Sequence, residues 1–310
     1  MFLVLFFTKM YISVIIISFK GDYMFNNVSI TKDGKKDIID ISGRRFNQIT
    51  ELSEVDLSRL LKINNELFKF YTNWYLLDGN LFYFKTDYIF NEIFLSELAH
   101  EFNVKCVQFM FAKDGKNLGI ISRNFRKKTF NYYDYMEFCN LFFDEIPSDI
   151  ETFKSHLYAK FDKENADKLM EQIFSLIAFD FFSGQNDRTH INVTFEEKNG
   201  NVLLAPMCDN GVAFHMGDFN TYVSCFDNLY FPYDNIIDPP QLYLLKLIRE
   251  NILFYNKLSK ALDIDIHELL DRTLEKYKIR MSTIDKIKVK DFFGSKCDVI
   301  ERALIYSKKI

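Results

Sequence analysis

Two segments of this sequence decide its interpretation: Ser183-Gly184-Gln185-Asn186-Asp187-Arg188-Thr189-His190-Ile191-Asn192 and Leu204-Ala205-Pro206-Met207-Cys208-Asp209-Asn210-Gly211. Asp187 is followed five residues later by Asn192, and Asp209 comes after a short stretch with hairpin character. An aspartate and an asparagine at this offset can reach one site from a loop that runs into a strand. Asp209 can join them from the far side of the hairpin. The sequence therefore predicts one polar site that contains all three side chains.

This set of side chains suits phosphoryl transfer. That reaction needs a carboxylate to orient and deprotonate the attacking hydroxyl, and oxygen ligands to hold magnesium on the phosphates. Aspartate and asparagine beside a glycine are also common in turns for local reasons. Their pairing with a second aspartate at hairpin distance, directly after an amphipathic helix pattern, favours a functional site over a simple turn.

The residues before this site predict a small β-rich lobe. Two aromatic runs on either side of Asp78-Gly79-Asn80 are typical of a hairpin. The following segment changes to helical spacing, with glutamate and histidine on the opposite side from its apolar residues. The predicted elements are strands at Asn73–Leu77 and Leu81–Lys85, a helix at Phe90–Phe102, and strands at Val107–Phe111 and Leu118–Ile121.

The remainder of the chain predicts a larger helical lobe. A helix is expected over Lys163–Phe182, with Ser183-Gly184 as its C-terminal cap. A hairpin follows around Lys198-Asn199-Gly200-Asn201, and apolar residues at helical spacing continue from Pro239 to the end. The expected fold is therefore α+β and bilobal, with one key helix in the N-lobe. The predicted divisions are a hydrophobic extension at 1–23, an N-lobe at 24–122 and a mostly helical C-lobe at 123–310.

The two motifs resemble those of the HipA-like serine/threonine kinases, which are related to the phosphatidylinositol 3- and 4-kinases. That family pairs Gly-x-x-Asp-x-His-x-x-Asn with a later Leu-x-Pro-x-x-Asp. This chain has the matching residues at Gly184–Asn192 and Leu204–Asp209, except that Thr189 stands at the histidine position and His190 follows it. The resemblance covers roughly residues 60 to 220 and implies a protein-kinase-like fold.

The resemblance also implies roles for individual residues. Asp187 would be the catalytic base, and Asn192 and Asp209 would be the magnesium ligands. Lys85 would bind the α- and β-phosphates of ATP, and Glu92 would hold Lys85 by an ion pair. The strand that contains Ile121 and Arg123 falls where the family contacts adenine. These site assignments are implied by the resemblance.

Two other functions stay open at this point. No glycine-rich phosphate loop precedes Lys85, which leaves a binding-only pseudokinase as an alternative. The Asp187-Arg188 and Asp209-Asn210-Gly211 segments also occur in phosphatidylinositol kinases, which leaves a lipid or small-molecule kinase. The leading hypothesis is an ATP- and Mg²⁺-dependent kinase acting on a serine or threonine hydroxyl of a protein, with an antitoxin or a host protein as a further partner class.

Composition restricts the setting. A formal charge of −4 gives no reason to expect a nucleic-acid partner, and the basic run Arg123–Lys128 is interpreted as a solvated surface. Five scattered cysteines without a CxxC pair indicate a reducing, cytoplasmic location.

The apolar first residues are not typical of a cytoplasmic protein. Met1–Phe19 is apolar but contains Lys9, and Met24 follows closely. The leading interpretation is a mis-called start codon, with a membrane anchor or an extra buried strand as the alternatives. Membrane contact is expected only if this segment is retained.

Overall fold

The computed structural model describes residues 28–46, 73–185, 188–214 and 240–307. Its largest sheet is built around a tight hairpin. Asp78 and Gly79 both have positive φ angles, 47° and 74°, and the flanking strands pair directly from Leu77 to Asn80. Two successive residues with positive φ are what a two-residue hairpin turn of this type requires. The hairpin predicted from the sequence is confirmed.

This sheet has five strands in the order β2-β5-β6-β4-β3. β2 runs parallel to β5, and the other neighbours are antiparallel. The strands are β2 (Ile39–Asp40), β3 (Trp74–Leu77), β4 (Asn80–Lys85), β5 (Phe109–Asp114) and β6 (Asn117–Arg123).

Helix α1 (Ile89–Glu101) packs against this sheet, and it is more deeply buried than its sequence pattern predicts. The sequence pattern placed the glutamates on the side opposite the apolar residues, yet Glu92 is only 0% and Glu97 9% exposed. Each carboxylate is paired: Glu92 with Lys85, and Glu97 with Lys276 at 2.7 Å. A buried charge persists in this way only when it is paired. The helix therefore lies between the sheet and the helices of the second lobe.

The second lobe is mostly helical. Its helices are α2 (Tyr135–Phe142), α3 (Ile150–Lys160), α4 (Lys163–Ser183), α5 (Pro240–Glu250), α6 (Ile252–Ser259), α7 (Ile266–Lys276) and α8 (Thr283–Ser307), with short 3-10 turns at Gly34–Asp37, His190–Asn192 and Lys260–Asp263. None of the helices in the described ranges combines the length and apolar character needed to cross a membrane. Residues 1–23, including the apolar N-terminal stretch, lie outside the described residues.

Helix α4 leads directly into the predicted site. Its N-terminus is capped by Asp162, whose carboxylate accepts a hydrogen bond from the Asn165 backbone N–H at 2.9 Å. At its C-terminus Gly184 adopts φ 65°, and the Gln185 N–H returns to the Asp180 carbonyl at 3.0 Å. Glycine is favoured there because it has no Cβ to clash in the left-handed region. The predicted helix end is confirmed.

Two smaller sheets complete the described fold. β7 (Asn131–Asp134), β8 (Thr194–Lys198) and β9 (Asn201–Leu204) form one sheet. β1 (Val28–Ile30) pairs with β10 (Ile279–Met281), so the first described strand is joined to the C-terminal helical region instead of to the large sheet.

Candidate active site

Three charged side chains meet between the two lobes. Lys85 ends β4, Glu92 lies in the first turn of α1, and Asp209 follows β9. The Lys85 Nζ contacts Glu92 Oε1 and lies 2.5 Å from Asp209 Oδ1. Glu92 is fully buried, while Lys85 and Asp209 retain 18% and 30% side-chain exposure. The Glu92 side of the cluster is therefore buried, whereas the side formed by Lys85 and Asp209 is accessible to solvent.

The protonation of Lys85 follows from these neighbours. Burial alone lowers the pKa of Lys85, but the carboxylates of Glu92 and Asp209 outweigh it and hold that pKa above its usual value. The lysine is therefore cationic at neutral pH. One ammonium against two carboxylates leaves a negative charge unbalanced, which favours a further cation beside Asp209.

The backbone around Asp209 is held by hydrogen bonds from both lobes. Asp209 adopts φ 59°, a region that non-glycine residues rarely occupy. Gln185 Nε2 donates to the Asp209 carbonyl at 3.1 Å, and the Asn210 N–H donates to Glu92 Oε2 at 3.0 Å. The Asp209 loop is thereby fixed to α1 on one side and to the end of α4 on the other.

Two glycines allow the close packing that this geometry needs. A Cβ at Gly119 on β6 would lie 2.3 Å from the Lys85 carbonyl oxygen, and a Cβ at Gly211 would lie 2.7 Å from Tyr88 Cβ. Gly211 also accepts a hydrogen bond from Asn91 Nδ2 at 2.9 Å. A side chain at either glycine would push apart elements that position the charged cluster.

A buried arginine connects the two predicted motifs. Arg188 is 0% exposed and forms a bidentate pair with Asp180, with nitrogen–oxygen distances of 3.0 and 2.9 Å. Its Nη2 also donates to Asn210 Oδ1 at 2.8 Å. Its Nη1 lies 3.5 Å from the Asn192 carbonyl oxygen and 3.4 Å from that of Cys208. One guanidinium thus holds the Asn192 segment beside the Asp209 segment.

The sequence motifs gave no indication of a functional or structural role for Asp180, Arg188 or Asn210. The available signal for Asp180 was its position inside the apolar run Leu176–Phe182, where an unpaired acid would be costly. Burial raises the pKa of the Asp180 carboxyl, and the Arg188 guanidinium opposes that rise. The partner itself could not be read from the sequence, because the pair forms only after the chain turns at Gly184.

The other predicted site residues are placed as follows. Asp187 lies outside the described residues, although Gln185 and Arg188 on either side of it are buried. Asn192 is 8% exposed and closes the 3-10 turn before β8. The carbonyl oxygens of Asn192 and of Cys208, which precedes Asp209, both accept from Arg188 Nη1. The segments that contain the two predicted metal ligands are therefore neighbours.

The structure does not bring the side chains of Ile121 and Arg123 to Lys85. Ile121 is fully buried in a small core on the opposite face of the sheet. Arg123 is exposed and donates to Asn80 Oδ1. Any contact that Ile121 or Arg123 makes with a ligand beside Lys85 would therefore come from the main chain.

The residues around Asp209 fit magnesium in their chemistry. The predicted ligands offer a carboxylate and an amide oxygen, which are hard donors of the type that Mg²⁺ prefers. Within the described residues no group of three His, Cys, Asp or Glu side chains forms a metal cage. A protein-only cage is not required, because Mg²⁺ in phosphoryl-transfer sites usually keeps waters and binds one or two carboxylates together with substrate phosphates.

Solved structures share this arrangement of two lobes. The proinflammatory kinase CtkA of Helicobacter pylori matches with 15% identity and a TM-score of 0.50, over 75% of this chain and 90% of that one. HipA of the Shewanella oneidensis MR-1 toxin–antitoxin system, solved with HipB and operator DNA, matches with 12% identity and a TM-score of 0.53. This chain has a bilobal kinase-like fold.

The second match covers 76% of this chain and 64% of the HipA chain, so the chain spans just under two thirds of that neighbour. No protein-family model matches the sequence, and a search of curated proteins finds no match. The resemblance to HipA-like kinases noted in the motifs is thus confirmed at the level of the fold. The roles of the site residues stay predictions.

Proposed function

We propose that this chain is an ATP- and Mg²⁺-dependent phosphotransferase that transfers the γ-phosphoryl group to a serine or threonine hydroxyl of a protein. The observation that supports this most directly is the contact of Lys85 with both Glu92 and Asp209. A lysine held by a helix glutamate beside a metal-binding aspartate is the arrangement that active kinases need. The kinase-like fold of the neighbouring structures supports the same reaction class.

Each residue has a defined task in this proposal. Lys85 binds phosphate oxygens on the solvent-accessible side of the cluster. Its two carboxylate neighbours keep it cationic. Asp209 and Asn192 hold magnesium, which neutralises charge on the phosphates when bound. Asp187 orients the acceptor hydroxyl and accepts its proton. Arg188 and Gln185 contact no substrate; they fix the loop on both sides of Asp187.

Nucleotide binding is the first expected result. ATP with magnesium at about 100 times its Kd adds about 2.7 kcal/mol of stability, which raises the melting temperature by about 4 °C in a chain of this size. Magnesium or ATP alone gives a smaller shift. A Lys85→Met variant is expected to lose the shift, whereas Lys113→Met, an exposed lysine on β5, keeps it. An unchanged melting temperature in the wild type would contradict nucleotide binding.

The acceptor is identified by a transfer assay. Incubation with γ-labelled ATP, candidate proteins and phosphoinositide vesicles, followed by mass-spectrometric mapping, is expected to place phosphate on serine or threonine. Label found only in lipid would favour the lipid-kinase alternative. Nucleotide binding without label in any acceptor, or in the chain itself, would favour a pseudokinase.

The partner class and the location belong to the same proposal. HipA of S. oneidensis is found with HipB, and we extend this to an antitoxin or host protein as a binding partner here. The cytoplasm is the proposed location, because the described cysteines Cys106, Cys139, Cys208 and Cys297 are free thiols. Fractionation of the host is expected to recover the chain in the soluble fraction. Recovery in the membrane pellet, extractable by detergent but not by salt, would contradict this location.

A further inference from the structure

The connection between the lobes contains an arginine that turns inward. Residues 124–130 lead from β6 to β7, and the basic run Arg123–Lys128, which overlaps them, was interpreted from the sequence as a solvated surface. Arg123, Lys127 and Lys128 are indeed exposed. Arg126 differs, because its side chain is partly buried. Its Nε is inaccessible to solvent and has no hydrogen-bond partner among the described residues.

The surroundings of Arg126 hold its guanidinium without neutralising it. The group lies 4.7 Å from the ring centroid of Phe125 and 5.8 Å from that of Tyr132. Within the described part of the chain no carboxylate forms an ion pair with it. Burial lowers the pKa of Arg126, and Cys208, Tyr132 and Glu137 oppose this only in part. A desolvated cation without a partner lowers stability, so this arrangement is of the kind that ligand binding explains.

The position of Arg126 relative to the charged cluster indicates the ligand. Arg126 follows β6, which pairs with β4 so that Ile120 lies opposite Lys85, and it precedes β7, which pairs with β8, the strand that follows Asn192. Arg126 therefore lies on the connection between the strand beside Lys85 and the strand that follows Asn192, whereas Lys85 contacts Asp209 from β4. A nucleotide whose phosphates lie at Lys85 and Asp209 would extend its nucleoside toward the connection.

We propose that Arg126 is a nucleotide-recognition residue that contacts the base or ribose, an inference that rests on the proposed function. A guanidinium is planar, so it can stack on a base as it now lies against the aromatic rings. Its Nε–H, which is unpaired among the described residues, can donate to a ring nitrogen or a ribose hydroxyl oxygen. Arg126 thus supplies a side-chain contact on the connection, which Ile121 and Arg123 do not.

The test compares the full chain with Arg126→Met and, as a matched control from the same connection, Lys127→Met. Calorimetry measures the Kd of adenosine and of a non-hydrolysable ATP analogue with magnesium. Arg126→Met is expected to weaken both ligands by the same factor, about ten-fold, and Lys127→Met to change neither. Without ligand, the melting temperature of Arg126→Met is expected to stay within about 2 °C of the wild type.

If the wild type binds the ATP analogue, three outcomes would overturn this inference alone. The first is that Arg126→Met binds both ligands as tightly as the wild type, and the second is that it loses affinity only for the phosphate-bearing ligand. The third is a large fall in its melting temperature, which would mark Arg126 as a structural cation. A wild type that binds neither ligand would contradict the proposed function and this inference with it. The affinity of the wild type therefore separates the two failures.

Discussion

An Asp187→Asn variant is expected to lower the rate of phosphoryl transfer by about 10²–10⁴-fold while its affinity for the magnesium–ATP complex stays close to that of the wild type. The proposed base would lose its ability to accept the hydroxyl proton, but no phosphate or metal contact would change. The side chains of Gln185 and Arg188 on either side are buried and hydrogen-bonded to the Asp209 loop, so the loop is expected to keep its conformation.

Asp209→Asn is the matched comparison, because it changes an acid to its amide at the proposed metal ligand. It removes a carboxylate from both the magnesium site and Lys85, so magnesium-dependent nucleotide binding is expected to weaken. Single-turnover transfer rates and the Kd of the ATP analogue separate the two variants. An equal loss of binding in both would show that the roles of the two aspartates are misassigned.

Arg188→Met is expected to lower the free energy of unfolding by about 3–5 kcal/mol. The substitution leaves Asp180 as an uncompensated charge at 1% exposure and removes a hydrogen bond from Asn210. In a chain of this size the melting temperature would fall by about 5–8 °C. Arg272→Met is the control, since Arg272 pairs with Glu101 at a similar distance, 2.9 Å, on the surface.

The control pair is expected to contribute less than about 1 kcal/mol, because solvent screens exposed ion pairs. A comparable small loss in Arg188→Met would contradict the view that this guanidinium holds the two motif segments together. Thermal unfolding of both variants, followed by far-UV circular dichroism, makes the comparison directly. Asp180→Asn provides the complementary change, since it removes the negative partner while keeping Arg188.

Local elements were predictable because each depends on residues close together in the chain. The Asp78-Gly79 turn, the cap at Gly184 and the Asn199-Gly200 turn are set by residues that tolerate positive φ. The family resemblance likewise placed Lys85 and Asp209 in one predicted site, and the structure shows the Lys85 Nζ 2.5 Å from Asp209 Oδ1. The roles of these residues in catalysis stay predictions.

The sequence by itself thus indicated the hairpin, helices α1 and α4 and the two-lobed fold, and its resemblance to a known family indicated the residues of the charged cluster. Only the tertiary structure decided which charges are buried and how they are paired. Glu97 lies on the polar side of its helix pattern, but it is buried and pairs with Lys276, which is distant in sequence. Asp180 pairs with Arg188 beyond the end of its helix, and the Nε of Arg126 is buried although the basic residues around it are exposed. Periodicity records which face of an element is apolar, whereas the partner of a buried charge depends on how separate elements pack.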